Sequence, residues 1–138
     1  MHTYIHKVRY YETDKMGITH HSNYIRWMEE ARIDFLERIG YGYAELERDG
    51  IISPVIGVEC QYKHPTTFND DVEIDVRVEE FKGVRLVIGY TMTNAATGDV
   101  GGVMHCFVDV NGKPIILKKQ FPEFDCVLRE LSANKNVE

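Results

Sequence analysis

Four stretches of this chain alternate apolar and polar residues, and a period of two leaves few choices of fold. Ile56, Val58, Cys60 and Tyr62 alternate with Gly57, Glu59, Gln61 and Lys63. Val72, Ile74, Val76 and Val78 alternate with Glu73, Asp75, Arg77 and Glu79. Val84, Leu86, Ile88, Tyr90 and Met92 make a third apolar row, and Val100, Met104, Cys106, Val108 and Val110 a fourth. Successive side chains of a strand point to opposite faces, so each row predicts a strand of antiparallel sheet covered on one side only. Thr3 to Tyr11 alternates more loosely and is rich in Tyr, Ile and Val, which reads as a further strand. The segments FKGVR and NAATGD suit hairpins of three or more residues.

Between Asn23 and about Ile39 the period changes. Tyr24, Met28, Ala31, Phe35 and Ile39 fall at steps of three and four, one face of a helix. Ser22 or Asn23 can cap its start, and Gly40 can end it. A shorter helix is expected from Tyr43 to Arg48, and no other long helix is expected. The economical packing is α+β: a long helix laid across the apolar face of a curved antiparallel sheet of about five strands. Such a sheet leaves edge strands open, and a second copy of the chain would cover them.

The 138 residues fit one domain, expected over 1–131 with a polar tail over 132–138. A core of this size needs no disulfide or metal. No run is apolar enough to span a bilayer, and MHTYIHKVRYY contains no signal-peptide h-region, so a cytoplasmic location is expected. The three cysteines, Cys60, Cys106 and Cys126, form no C-x-x-C, which argues against a disulfide framework or zinc ribbon. A net charge of −6 disfavours nucleic-acid binding, which needs a basic surface.

The segment YYETDKMGITHHSNYIRWMEEAR gathers Asp14, Gly17, His20 and His21 into a loop just ahead of the helix. Gly17 permits a tight or left-handed turn. The backbone N–H groups of a helix N-terminus are unpaired and carry the positive end of its dipole, where an oxyanion can be stabilised. A carboxylate nearby can serve as general base or nucleophile. Plain alternatives stand beside this reading. An Asp before a helix is often a turn residue, and a His there is often structural. Adjacent His20 and His21 are expected to diverge, and with no H-x-x-x-H or H-E-x-x-H neither a metal nor a cofactor is expected. Cys60 and Cys106 fall on inward strand positions as inert thiols, and His64 and His105 have no partner the sequence identifies. No G-x-S-x-G, P-loop or dinucleotide fingerprint is present.

The same segment resembles the signature of hotdog-fold thioesterases of the 4-hydroxybenzoyl-CoA thioesterase type, and within them the bacterial acyl-CoA thioesterase branch associated with the Tol-Pal system. The matching residues are Thr13-Asp14, Gly17, His21-Ser22-Asn23-Tyr24 and Glu30-Ala31-Arg32, and the likeness continues through CQYKHPTTFNDDVEI. The resemblance implies a hotdog fold, dimers joined edge to edge, frequent tetramers and an active site at the dimer interface. It implies hydrolysis of an acyl-CoA or acyl-carrier-protein thioester. Asp14 would be nucleophile or general base, His21 would assist, and the His21 backbone N–H would polarise the carbonyl. Gly17 and Tyr24 are further substrate-binding candidates. His20 departs from the pattern, which places Tyr or Phe there. Two other readings stay open: a dehydratase pairing a loop His with Glu29 or Glu30, and a non-catalytic acyl-CoA-binding module. CoA carries phosphates and this chain is acidic, so cations are needed at the pocket mouth; Lys63, Arg85 and Lys118 are the candidates.

Overall fold

All five alternating stretches become strands of one antiparallel sheet. The computed structural model describes residues 2–48, 54–82, 85–109 and 122–133. Its strands are β1 (His2–Lys7), β2 (Val55–Tyr62), β3 (Asp71–Phe81), β4 (Arg85–Asn94) and β5 (Val100–Asp109). Its helices are α1 (Ser22–Arg38), α2 (Tyr43–Arg48) and α3 (Pro122–Ala133), with a 3-10 turn at Tyr10–Glu12. The strand order is β1-β3-β4-β5-β2, so β1 and β2 are the edges. This is α+β, the expected hotdog arrangement.

Register explains why the apolar rows share one face. Ile74 lies opposite Met92, Met92 opposite Gly102, and Gly102 opposite Tyr62. Val72, Ile74, Val76 and Val78 are all buried. Against them α1 buries Tyr24, Trp27, Met28, Ala31 and Phe35, the stripe its helical period predicts. The helix ends at a left-handed Gly40, φ +92°. Gly40 N–H donates to Glu37 O at 3.1 Å and Tyr41 N–H to Leu36 O at 2.8 Å, which satisfies two end carbonyls.

Three expectations are corrected. β1 stops at Lys7 rather than Tyr11, because Lys7 pairs with Asp71, the first residue of β3. A second long helix exists, α3, which buries Phe124 and Leu128 and runs two residues past the expected start of the tail. Its signals are Pro122 at the first helical position and acids in the first turn. The third concerns β2. Its apolar row is only partly covered: Cys60 packs on the core and Tyr62 on Tyr24, while Ile56 remains 56% exposed. The helix packs chiefly on β1 and β3 and meets β2 at Tyr62.

One buried carboxylate ties β1, the 3-10 turn and α1 together. Glu12 is 5% exposed. Its Oε1 lies 2.9 Å from His6 Nε2 and accepts the Arg9 N–H at 2.8 Å. Its Oε2 accepts Trp27 Nε1–H at 2.8 Å. The other ring nitrogen of His6 faces Glu30 Oε2 at 3.2 Å. Burial pushes the Glu12 carboxyl up, but the donors from His6, Trp27 and Arg9 outweigh it and hold it below its ordinary value of 4.5. A carboxyl depressed in the folded state stabilises above its unfolded pKa, and that stability is lost as pH falls through the folded value. Glu12→Gln turns an N–H₂ toward a donor, so it should cost about 1–3 kcal/mol in urea unfolding at pH 7. The deficit should shrink as pH falls below 4.5 and close once the wild-type carboxyl also protonates.

Candidate active site

The loop ahead of α1 is a small hairpin. Thr13 bridges Thr19, and Asp14 N–H donates to Ile18 O at 2.8 Å. Gly17 N–H closes the turn on Asp14 O at 2.9 Å. Gly17 has φ +79°, and a Cβ there would meet nothing within 4 Å, so glycine answers a backbone requirement rather than a lack of space. Asp14 Oδ1 accepts the Met16 N–H at 2.8 Å, which orients the carboxylate. Asp14 Oδ2 takes no hydrogen bond among the described residues.

The segment after β2 clips this hairpin from outside. Thr67 Oγ1 donates to Gly17 O at 2.8 Å, and Thr19 N–H donates to Thr66 O at 2.8 Å. The buried Thr66 hydroxyl lies 2.7 Å from Thr19 Oγ1 and 3.1 Å from the Tyr24 hydroxyl. Tyr24 is thereby held at both its ring and its oxygen.

The helix start differs from the expected cap. His21 holds the cap position with φ −56° and ψ −27°, and no side chain caps there. Asn23 turns back instead, donating Nδ2–H to Glu12 O at 2.9 Å, because that carbonyl is brought beneath the helix by the buried Glu12. Ser22 Oγ lies 2.9 Å from His20 Nδ1. That contact folds the His20 ring over His21, so the two imidazoles stack at 4.3 Å rather than diverge. The backbone donors are used unevenly. His20 N–H goes to Glu12 O at 2.8 Å, Asn23 N–H to His20 O at 3.0 Å and Tyr24 N–H to His21 O at 3.3 Å. Ser22 N–H goes to His20 Nδ1 at 3.2 Å. The His21 N–H has no partner among the described residues.

A cavity of ≈310 Å³ opens beside this point, lined by Asp14, His21, Tyr24, Tyr62, Lys63 and His64, among others. Tyr62 meets Tyr24 edge-on with ring centroids 5.4 Å apart and His21 at 6.0 Å. Its hydroxyl donates to His21 O at 3.3 Å. Burial raises the Tyr24 phenol despite the hydrogen bond from Thr66. Burial, with the neighbouring Cys60, pushes Tyr62 up to about 12. Both phenols therefore stay neutral near pH 7 and serve as walls and hydrogen-bonding groups rather than bases. Burial also pushes the Cys60 thiol up, which keeps it un-ionised. The cavity thus offers a carboxylate with one open oxygen and a free N–H at the positive end of a helix, among aromatic rings.

Of the candidates named from sequence, Asp14, His21, Tyr24 and Lys63 line this one cavity, and Gly17 forms the turn below it. Arg85 stands apart in the protomer. It begins β4, seven residues from Met92, which shares a register row with Tyr62, about 23 Å at roughly 3.3 Å per residue. Lys118 lies outside the described residues, as do the side chains of His105 and Cys106. Glu29 pairs with Arg32 at 2.9 Å, and Glu30 faces His6 and takes the Tyr4 hydroxyl at 3.1 Å, so neither reaches the loop histidines. Tyr62, His64 and Thr66 were not singled out. Their signal is that YKHPTT ends an alternating strand at Tyr62 and lies within the stretch CQYKHPTTFNDDVEI that resembles the family.

Residues 8–131 match the thioesterase-like superfamily. The "Putative acyl-CoA thioesterase YneP" of Bacillus subtilis is 35% identical over 122 residues, covering 86% of this chain and 88% of that protein. The solved DHNA-CoA thioesterase of Staphylococcus aureus superposes with a TM-score of 0.88 at 32% identity, over 97% of this chain and 92% of that one. The 1,4-dihydroxy-2-naphthoyl-CoA hydrolase of Prochlorococcus marinus is 23% identical over 124 residues, 85% of this chain and 81% of its own. By the span of the family match and by these relatives, the chain belongs to the thioesterase-like superfamily of hotdog-fold proteins.

Proposed function

We propose that the protein hydrolyses an aryl-CoA thioester to the free acid and CoA. The observation that carries this is the meeting of the open Asp14 Oδ2 and the unpartnered His21 N–H at one cavity. The thioester oxygen docks on the His21 N–H, where the α1 dipole favours negative charge. Asp14 either takes the proton of a water that attacks the carbonyl carbon and expels the thiolate, or attacks that carbon itself, expelling the thiolate and forming an anhydride that water then hydrolyses; in both routes the proton from water ends on the thiolate. The aryl group sits against Tyr24, Tyr62 and the His21 ring. At ≈310 Å³ the cavity is at the small end of ligand sites, about 300–1,000 Å³, which suits a ring system rather than a long chain. The substrates named for the relatives in S. aureus and P. marinus support the same choice. Engagement of Glu29 and Glu30 elsewhere disfavours the dehydratase.

The finer placement, in the 4-hydroxybenzoyl-CoA thioesterase type near the Tol-Pal-associated branch, belongs to this proposal and rests on the Asp14–Arg32 signature. So does assembly. The exposed apolar residues of β2, Ile56 and Val58, support a homodimer joined at that edge, with a homotetramer as a pair of such dimers. A cytoplasmic setting is supported by the free thiols of Cys60 and Cys126.

Asp14→Asn is nearly isosteric and should keep the fold while kcat on benzoyl-CoA falls by about 10²–10⁴. Turnover within about threefold of wild type would remove Asp14 from the chemistry. The His21 N–H has its own test, because φ −56° suits proline. His21→Pro deletes the N–H and the imidazole, and His21→Ala deletes the imidazole alone. Proline should cost about 10²–10³ more in kcat than alanine; equal losses would assign the effect to the ring. For assembly, Ile56→Lys should shift the sedimenting species toward monomer, and an unchanged profile would move the interface off this edge.

A further inference from the structure

Asp14 borders two depressions. On one side is the aromatic cavity of ≈310 Å³. On the other is a broader groove of ≈820 Å³, lined by Tyr10, Tyr11, Lys15, His20, Ser22 and Arg26 among others. A thioester has two arms on one carbonyl carbon. If that carbon lies at Asp14, one arm enters each depression. We propose that the Lys15–Arg26 groove holds the nucleotide end of coenzyme A, its phosphates on Lys15 and Arg26 and its adenine against the exposed tyrosines. This rests on the thioesterase reading above.

Size is the first argument, since the larger and more open depression suits the larger arm. Charge is the second. In a chain of net charge −6, Lys7, Arg38, Lys82 and Arg129 each meet a carboxylate at 2.7–3.1 Å. Lys15 and Arg26 meet none among the described residues. Two unneutralised cations in one groove suit a diphosphate or ribose phosphate, which gains charge-assisted hydrogen bonds there. Asp14 is the one carboxylate among the groove's lining residues, and the two cations outnumber it. The rings are the third. Tyr10 and Tyr11 are each 76% exposed, and an adenine can stack on such faces.

His20 gives the groove a feature the family pattern lacks. Its Nδ1 accepts the Ser22 N–H, so a neutral ring carries its proton on Nε2, a third donor where the pattern has Tyr or Phe. The contrast with the sequence expectation is specific. Lys63 lines the aromatic cavity, and Arg85 lies at the far end of β4.

Lys15 and Arg26 are exposed, so Lys15→Ala, Arg26→Ala and the double variant should fold as wild type. Two substrates are compared, benzoyl-CoA and benzoyl-N-acetylcysteamine, which has the same thioester without the nucleotide. In the double variant KM for benzoyl-CoA should rise by at least about tenfold with kcat nearly unchanged, and KM for the truncated thioester should not move. An unchanged KM for benzoyl-CoA, or equal rises for both substrates, overturns the assignment. Titration calorimetry with coenzyme A alone tests the groove without turnover. Wild type should bind at least about tenfold more tightly than the double variant. Equal affinities, or no binding to wild type, overturn the proposal, whereas preferential binding without hydrolysis would sink only the thioesterase reading. A double variant impaired only on a benzoylated carrier protein would overturn it in favour of a protein-bound thioester.

Discussion

A carboxylate buried in an apolar core must be met by donors or it destabilises the fold by several kcal/mol. Glu12 is such a group, and its donors come from three places: a β1 histidine, an α1 tryptophan and the backbone of Arg9. Satisfying one side chain therefore brings strand, turn and helix to a common point. The same residue's carbonyl receives His20 N–H and Asn23 Nδ2–H. What folds the N-terminal third also sets where the loop joins the helix, at the residue just before the His21 N–H.

The cavity exists because one helix is narrower than the sheet it packs on. The α1 stripe covers β1 and β3, and the concave face toward β2 is left to Tyr62, Lys63 and His64. The loop contributes the charge and the donor, and the strand exit contributes the walls. Raised phenol pKa values keep Tyr24 and Tyr62 neutral, so the aromatic walls do not compete with Asp14 for a proton.

Local chemistry was legible in the sequence and long-range neighbours were not. The strands could be read because each buries one face, and the Asp14–Gly17 turn because its residues determine it within four positions. The end of β1 was missed because it depends on where β3 begins, some sixty residues later. Glu12 was missed because a charged residue just after an expected strand reads as a solvent-facing loop position, and only its contacts with His6 and Trp27 make it a core group. The rows named the apolar face of β2 but could not say that Ile56 and Val58 stay exposed on it. In α3 Phe124, Val127, Leu128 and Leu131 do stand at helical steps of three and four, a legible stripe that spans only two turns and runs into the polar tail.

The anchoring of the loop has a consequence for how such a protein changes over time. The positions that hold the loop are buried or are main-chain atoms: the Glu12 carboxylate and carbonyl, Trp27, Asn23 and the Thr66 hydroxyl. Many of the residues that face the two depressions, such as Tyr10, Lys15, Arg26, Tyr62 and Lys63, are exposed side chains that take little part in that scaffolding. Mutations can therefore exchange what the groove and cavity recognise while the carboxylate and the helix N-terminus keep their relative places. On the proposed reading of the site, substrate scope and chemical competence rest on largely separate sets of residues.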